Sequence, residues 1–150
     1  MSLDNLLGTS LEKIEPDSAS ITKLLTAAAR NIKDARVEAV SNENRFDAAY
    51  KAILQLANAA LQATGYRTSK PGHHITMIQL LPKTTGLDNE TMIVLDGLRK
   101  QRIAADYSGD FVSALAMLKN FISLSASGLK IITRICCRVN HLTILCGQSG

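Results

Sequence analysis

The sequence predicts an all-α protein, an up-and-down bundle of about five helices, on three observations. Apolar residues make up 46% of the 150 residues and charged residues 20%, which is typical of a globular chain. Aromatic residues are only 4% and Trp is absent, whereas Ala and Leu abound, which favours helix over sheet. Apolar residues also recur at helical spacing through most of the chain, and this length suits one domain with its own core.

The first two helices are marked by their starts and by their apolar faces. Residues 16–18 (Pro-Asp-Ser) form a helix-start signal, and residues 41–42 (Ser-Asn) are expected to cap the second helix. Gly65 is a natural residue to follow the second helix, because glycine adopts the left-handed conformation. The predicted buried faces are Ile21, Leu24, Leu25, Ala28, Ile32, Ala35 and Ala39, then Phe46, Ala49, Tyr50, Ile53, Leu56, Ala57 and Ala60.

Residues 65–72 are predicted to form a basic loop, followed by a short third helix. Arg67 and Lys70 give the loop two cations that can contact phosphate, although a solvated connector is the favoured interpretation because short basic loops are common. The third helix is expected to open at His73 and His74 and to stop at Pro82, with a loop over residues 83–87. Its expected inward residues are Ile75, Ile78 and Leu81. Adjacent histidines point in different directions on a helix, so no metal site is predicted.

The fourth helix carries the residue that most needs an explanation. Asp88 or Asn89 is expected to cap it, and Leu95, Leu98, Arg102 and Ala105 follow the spacing of one helix face. Arg102 therefore falls on the face that should be buried, where a guanidinium is costly unless paired. The candidate carboxylate partners are Glu43, Asp47 and Asp106. Gly97 in this helix either marks a close helix crossing or is incidental.

The fifth helix is expected to start near Phe111 and to end at residues 125–128. It is apolar on two sides, so it is either central in the bundle or part of an oligomer interface. Beyond it, Ile, Thr, Val, Cys and Arg replace Ala and Leu, which favours strand. An extension of the last helix, pairing with another copy of the chain, and vector-encoded or out-of-frame sequence stay open as alternatives. The predicted organisation is an N-terminal arm at 1–15, a helical bundle at 16–127 and a tail of uncertain structure at 128–150.

Charge and cysteine usage say little about function. The net charge is +4, but no acidic residue follows Asp110, so the excess of cations belongs to the C-terminal part and is weak evidence for nucleic acid. The three cysteines do not form a secreted disulfide framework. With no signal peptide and no uninterrupted apolar stretch of about 20 residues, a cytoplasmic protein with no membrane association is expected. No cofactor-binding glycine motif, zinc spacing or nucleophile turn is present.

Three stretches resemble the HEPN family of prokaryotic helical bundles. They are residues 41–50 (SNENRFDAAY) in the second helix, residues 72–74 (GHH) opening the third, and residues 98–107 (LRKQRIAADY) closing the fourth. The resemblance covers residues 17–125, through short motifs. It implies a homodimer in which an Arg-x4–6-His motif from both chains meets in a cleft and cuts RNA without metal. It also implies, for many members, a nucleotidyltransferase antitoxin as partner.

Arg102 matches the family arginine, whereas Tyr107 stands where the nearest allowed histidine would be and Ile103 where a polar residue usually follows. Metal-free RNA cleavage needs a base, an acid and a cation for the phosphorane. Arg102 can supply the cation, but Tyr has a reference pKa of about 10, so Tyr107 is a poor base at neutral pH.

The leading hypothesis is therefore a HEPN-like module associated with RNA or a nucleotide, dimeric, with weak or absent catalysis. Its candidate catalytic residues are Arg102 and Tyr107, and its candidate ligand-binding residues are Arg99, Arg67, Lys70, His73 and His74. The dimer seam is expected at the helix ending at Tyr107 or at the next one. The alternatives are a metal-independent endoribonuclease toxin and a non-catalytic protein-interaction module that uses the apolar faces of residues 111–124.

Overall fold

The computed structural model of the protein describes residues 3–70, 74–108 and 115–140, and the side chains of residues 3–70, 74–104 and 118–138. Over these residues it is an all-α bundle with a small two-stranded ribbon, which confirms the predicted fold class. The helices are α1 (Ser18–Ala35), α2 (Asn42–Ala63), α3 (His74–Gln79), α4 (Leu81–Thr85), α5 (Asn89–Ser108) and α6 (Leu115–Asn140), with a 3-10 turn at Leu3–Leu6. The strands are β1 (Leu11–Lys13) and β2 (Tyr66–Thr68).

The predicted caps of the first two helices are confirmed. The Asp17 carboxylate accepts a hydrogen bond from the backbone N–H of Ala19, and the Ser41 hydroxyl accepts one from Asn44. Gly65 follows α2 with a φ of +91°, the left-handed conformation that glycine adopts most easily. The end of α1 was predicted too late: the helix stops at Ala35, and Ala39 lies exposed in the turn that follows.

The core lies between α1, α2 and α6, with α2 in contact with both of the others. Of the 22 residues of α2, 12 are buried, so this helix has almost no solvent-facing side in its second half. The Phe46 ring packs on Phe121 of α6 with 5.1 Å between ring centroids. The many alanines of α2 let its neighbours approach closely, because their side chains add little thickness to the helix.

The ribbon joins the N-terminal segment to the connection after α2. β1 and β2 are antiparallel, with Leu11 opposite Thr68 and Lys13 opposite Tyr66. Leu11 is fully buried and belongs to the core. The prediction of a simple basic loop at residues 65–72 was therefore wrong, because part of it pairs with residues about 55 positions earlier, which local sequence does not reveal.

The predicted stop at Pro82 and the predicted loop at residues 83–87 were also wrong. Pro82 lies in the first turn of α4, where a proline is tolerated because its missing N–H would have no partner in the helix. The inward residues are Met77, Ile78, Leu80 and Leu81, whereas Ile75, expected inside, is 46% exposed.

α6 continues through the residues predicted to end it. Ser125 is buried, and its hydroxyl donates to the carbonyl of Phe121 one turn earlier, so it does not break the helix. Gly128 packs beside Leu56 of α2, where a Cβ atom would lie 3.5 Å from the leucine Cδ1. Residues 129–140 are helical, not the strand that propensity favours, and the predicted boundary between residues 127 and 128 falls inside α6. The predicted start near Phe111 lies outside the described residues.

None of the helices in the described part of the chain combines the length and the apolarity that a membrane crossing requires.

Candidate functional site

Arg102 projects from α5 toward α2. The Asp88 carboxylate caps α5 by accepting from the Thr91 backbone N–H at 2.8 Å, as predicted, and this fixes the helix start. Leu95 and Leu98 are buried on the same helix face, and Arg102 follows them one turn later. The face predicted to be buried is therefore the face that packs inward, and Arg102 lies at its partly open end with 27% of its side chain exposed.

Two residues of α2 hold the Arg102 guanidinium. Its Nε donates to the Asp47 carboxylate at 2.6 Å, and its central carbon lies 4.9 Å from the centre of the Tyr50 ring. Asp47 and Tyr50 lie three residues apart on α2, so they belong to the same helix face. We call these three residues the Arg102 cluster. Among the predicted carboxylate partners, Asp47 makes the pair; Glu43 is exposed near the start of α2, and the Asp106 side chain lies outside the described residues.

The electrostatics of the cluster provide an arginine paired with a carboxylate and no general base. Burial raises the pKa of the Tyr50 phenol above its ordinary value, and the charges of Arg102 and Arg99 act in the opposite direction. The phenol therefore stays protonated near neutral pH. Asp47, at 39% side-chain exposure, offsets the charge of Arg102. For Tyr107, the predicted catalytic partner, the structure describes the backbone in the last turn of α5 but not the side chain.

Arg99 and Lys100 lie at the edge of an open groove between α3 and α5. Both bind Asp96, at 2.9 Å and 3.0 Å, and these two contacts hold the pKa of the Asp96 carboxyl below its ordinary value. The groove has a volume of about 690 Å³ and is lined by Ile75, Ile78, Gln79, Asn89, Met92, Ile93, Asp96, Gly97, Arg99 and Lys100. A Cβ added at Gly97 would meet nothing within 4 Å, so this glycine marks no close helix crossing within the described part of the chain.

The other predicted ligand-binding residues belong to different places. Arg67 is on β2 and forms an ion pair with Glu12 on β1 at 2.8 Å, so its charge is offset within the ribbon. Lys70 and His74 are exposed, and His73 lies outside the described residues. The structure therefore brings Arg102 together with Asp47, and Arg99 together with Asp96, but it places Arg67 in the ribbon.

Sequence reasoning missed a second inward arginine, Arg45, which is 6% exposed. Its Nε donates to the carbonyl of Ala35 at 2.8 Å, so it caps the C-terminus of α1, where a positive charge is favourable. The available signal was the same as for Arg102. Arg45 shares a helix face with the alanines Ala49, Ala52 and Ala59, all of which are buried.

The state of the cysteines does not establish the cellular compartment, which stays a prediction. Burial raises the pKa of the Cys136 thiol to about 11, and Cys137 is disulfide-bonded, whereas a cytoplasmic protein was predicted. Among the residues whose side chains are described, no cluster of three His, Cys, Asp or Glu residues is placed to hold a metal ion.

The chain matches no protein-family model, no curated protein and no solved structure. The HEPN resemblance therefore stays a prediction based on the three short stretches.

Proposed function

We propose that this protein is a HEPN-like helical module that binds RNA or a nucleotide at the Arg102 cluster and does not cleave it. One observation carries the proposal. Two of the stretches that carry the resemblance, residues 41–50 and 98–107, are far apart in sequence and meet at one point, through Arg102, Asp47 and Tyr50. A resemblance that was only a chance match of short motifs would not require its segments to touch.

The geometry of Arg102 suits a phosphate ligand. A guanidinium is a planar group with five N–H donors, and it binds phosphate through two parallel hydrogen bonds. Asp47 engages Nε, and the Tyr50 ring contacts the guanidinium, so the side chain is oriented before any ligand arrives. A phosphate would compete with the Asp47 carboxylate for the same cation.

The same contacts argue against catalysis. Stabilising a phosphorane needs positive charge that is not already offset, and here Asp47 lies 2.6 Å from Arg102. A general base needs a pKa near the working pH, and Tyr50 is shifted away from it. The family histidine is replaced by Tyr107 in the sequence.

The test measures binding of labelled single-stranded RNA and of ATP by fluorescence anisotropy and calorimetry. Arg102→Ala is expected to weaken binding at least about tenfold, a loss of about 1.4 kcal/mol. Asp47→Asn removes the competing charge and keeps the shape, so it is expected to tighten binding at least about twofold. Arg67→Ala, in the ribbon, is the control and should leave binding unchanged.

Because Arg102→Ala should weaken binding and Asp47→Asn should tighten it, the two variants distinguish a ligand site from a purely structural ion pair. If the pair only stabilises the fold, both variants lower the unfolding temperature and neither changes the affinity, which would contradict the proposal. RNA cutting in the presence of chelator, lost in Arg102→Ala, would favour the endoribonuclease toxin instead.

A protein-interaction module is the second candidate, and one observation favours it. Where their side chains are described, the faces of α6 predicted for this role point inward, since Leu118, Phe121 and Ile122 are buried. Large apolar side chains are exposed on α5 instead, with Ile93 at 73% and Val94 at 53%. Recovery of a nucleotidyltransferase-like protein without RNA, in a pull-down that Val94→Glu or Ile93→Glu abolishes, would favour this function.

A further inference from the structure

The outer face of α6 carries a row of basic and hydroxyl side chains. Six exposed residues of this helix follow one another at intervals of four, four, three, four and four residues, so they lie along one side of it. The row is about 28 Å long, because an α-helix rises about 1.5 Å per residue. We call it the α6 row, and it consists of Lys119, Ser123, Ser127, Lys130, Arg134 and Arg138.

The four cations of the α6 row are not neutralised within the described part of the chain. None of them forms an ion pair with another described residue, and α6 itself contains no Asp or Glu. The opposite face of the helix belongs to the core, where Leu118, Phe121 and Ile132 are buried. The net charge of the chain does not reveal this arrangement, because it does not show that the C-terminal cations share one face.

The stability of α6 does not account for the α6 row. Lys130 and Arg134, like Arg134 and Arg138, are four residues apart, a spacing at which like charges repel and destabilise a helix. The negative end of the helix favours a cation in the last turn, which is Arg138, but it does not explain Lys119 near the other end. An anionic partner along the row would relieve this repulsion.

The composition of the row fits a sugar-phosphate backbone. Lys and Arg contact phosphates, and Ser hydroxyls donate hydrogen bonds to phosphate oxygens, so all six side chains are of types that bind such a backbone. A phospholipid surface fits less well, because helices that bind one also insert large apolar side chains. Among the described side chains of α6, Ile131, at 43% exposure, is the only large apolar one that is exposed.

Among nucleic acids, a duplex fits the row better than a single strand. Proteins that hold single strands stack the bases on aromatic side chains, and the only aromatic residue of α6, Phe121, is buried. A duplex is already straight over the length of the row, because the persistence length of double-stranded DNA is about 50 nm. Its charge along the axis is also denser than that of one strand.

We propose that the α6 row is a docking surface for the phosphate backbone of double-stranded nucleic acid, bound without sequence preference. Each cation contacts one phosphate, and the two serine hydroxyls add neutral donors between Lys119 and Lys130. The inference goes beyond the proposed function and does not rest on it, because no residue of the Arg102 cluster belongs to α6.

The test measures binding of a labelled duplex of about 20 base pairs by fluorescence anisotropy, from about 50 to about 200 mM KCl. Four phosphate contacts predict a slope of about −3.6 for the logarithm of affinity against the logarithm of salt concentration, at about −0.9 per contact. K130Q/R134Q should reduce the slope to about −1.8 and weaken binding at least about tenfold at the lowest salt. The matched control K23Q/R30Q removes the same two charges from exposed positions of α1 and should change neither quantity.

Separate ligands identify what the row binds. In an Arg102→Ala background, which removes the proposed ligand site, RNA and DNA duplexes should both bind at least about threefold tighter than a single strand of equal length. No duplex binding at about 50 mM salt overturns the inference, as does equal weakening by the two double variants or tighter binding of the single strand in that background. Cosedimentation with phosphatidylserine vesicles that K130Q/R134Q abolishes, without duplex binding, would assign the row to a membrane surface instead. An Arg102→Ala variant that binds single-stranded RNA and ATP like the wild type would count against the proposed function alone.

Discussion

Helices α2 and α5 have similar lengths but opposite surroundings. α2 buries 12 of its 22 residues between α1 and α6, and its polar exceptions have specific partners, such as Arg45 on the Ala35 carbonyl. Among the described side chains of α5, only Leu95 and Leu98 are buried, while Ile93 is 73% exposed. The core of the bundle is thus formed mainly by α1, α2 and α6, whereas α5 leaves large apolar side chains exposed.

From this difference we expect stability to depend mainly on α2, and binding to depend more on α5. Substitutions in α2 should act mainly on unfolding, and substitutions on the outer face of α5 mainly on association. The Arg102 cluster lies where the two helices meet, so it should show both effects.

The largest expected effect is in the α1–α2–α6 core. Phe46→Ala removes a ring that is 1% exposed and packs on Phe121, so it should lower the free energy of unfolding by about 3–5 kcal/mol. Urea unfolding followed by circular dichroism measures this. Val94→Ala on α5 is the control and should change stability by less than about 0.5 kcal/mol. Equal losses would mean that α5 is as much a part of the core as α2.

The two inward arginines, Arg45 on α2 and Arg102 on α5, should contribute different amounts to stability. Arg45→Met keeps the apolar stem but removes the charged donor to the Ala35 carbonyl, and it should cost about 1.5–3 kcal/mol. Arg102→Met breaks a partly exposed ion pair and should cost about 1 kcal/mol. The same urea titration measures both, and a larger loss at Arg102 would contradict the division between core and binding helix.

Replacing two helical glycines, Gly128 and Gly97, by leucine is expected to change stability in opposite directions. Gly128→Leu must place a large side chain against Leu56, so it should cost about 1–3 kcal/mol. Gly97→Leu enters open space and replaces a poor helix former, so it should raise stability by about 0.5–1 kcal/mol. Thermal unfolding is the measurement. Destabilisation at Gly97 would show that its surroundings are not open.

The smallest expected effect is a pH dependence at the start of α5. The Thr91 hydroxyl and backbone N–H hold the pKa of the Asp88 carboxyl below its ordinary value. Because the folded pKa is the lower one, this stabilisation is complete above the unfolded value of about 3.9 and is lost as pH falls through the folded pKa. The protection factor of the Thr91 amide should therefore fall below about pH 4.

Asp88→Asn keeps a cap that does not titrate, and its Thr91 protection should change little over the same pH range. If Thr91 protection depends on pH in the same way in the wild type and in Asp88→Asn, the Asp88 carboxylate is not the cause of that dependence.

The elements that sequence predicted well are those fixed by local chemistry. The Asp17 and Ser41 caps, the glycine after α2 and the buried face of α2 each depend on residues within a few turns of one another. Arg102 was identified because it interrupts an apolar face, and Asp47 was among its three candidate partners, since a buried guanidinium needs a carboxylate.

The elements that sequence missed depend on distant contacts. The ribbon pairs Leu11 with Thr68, and neither three-residue strand has enough pattern to be recognised alone. Gly128 did not end α6, because packing on Leu56 outweighs a weak local preference.

The antiparallel ribbon also orders the events of folding. Its two strands come from positions about 55 residues apart and are brought together by the hairpin of α1 and α2 that they enclose. Closing such a long segment costs chain entropy before any strand contact can repay it. We therefore expect the helical hairpin to form first. The N-terminal segment, held by Glu12 on Arg67 and by Asp4 on the Tyr66 hydroxyl, should then dock last and be released first.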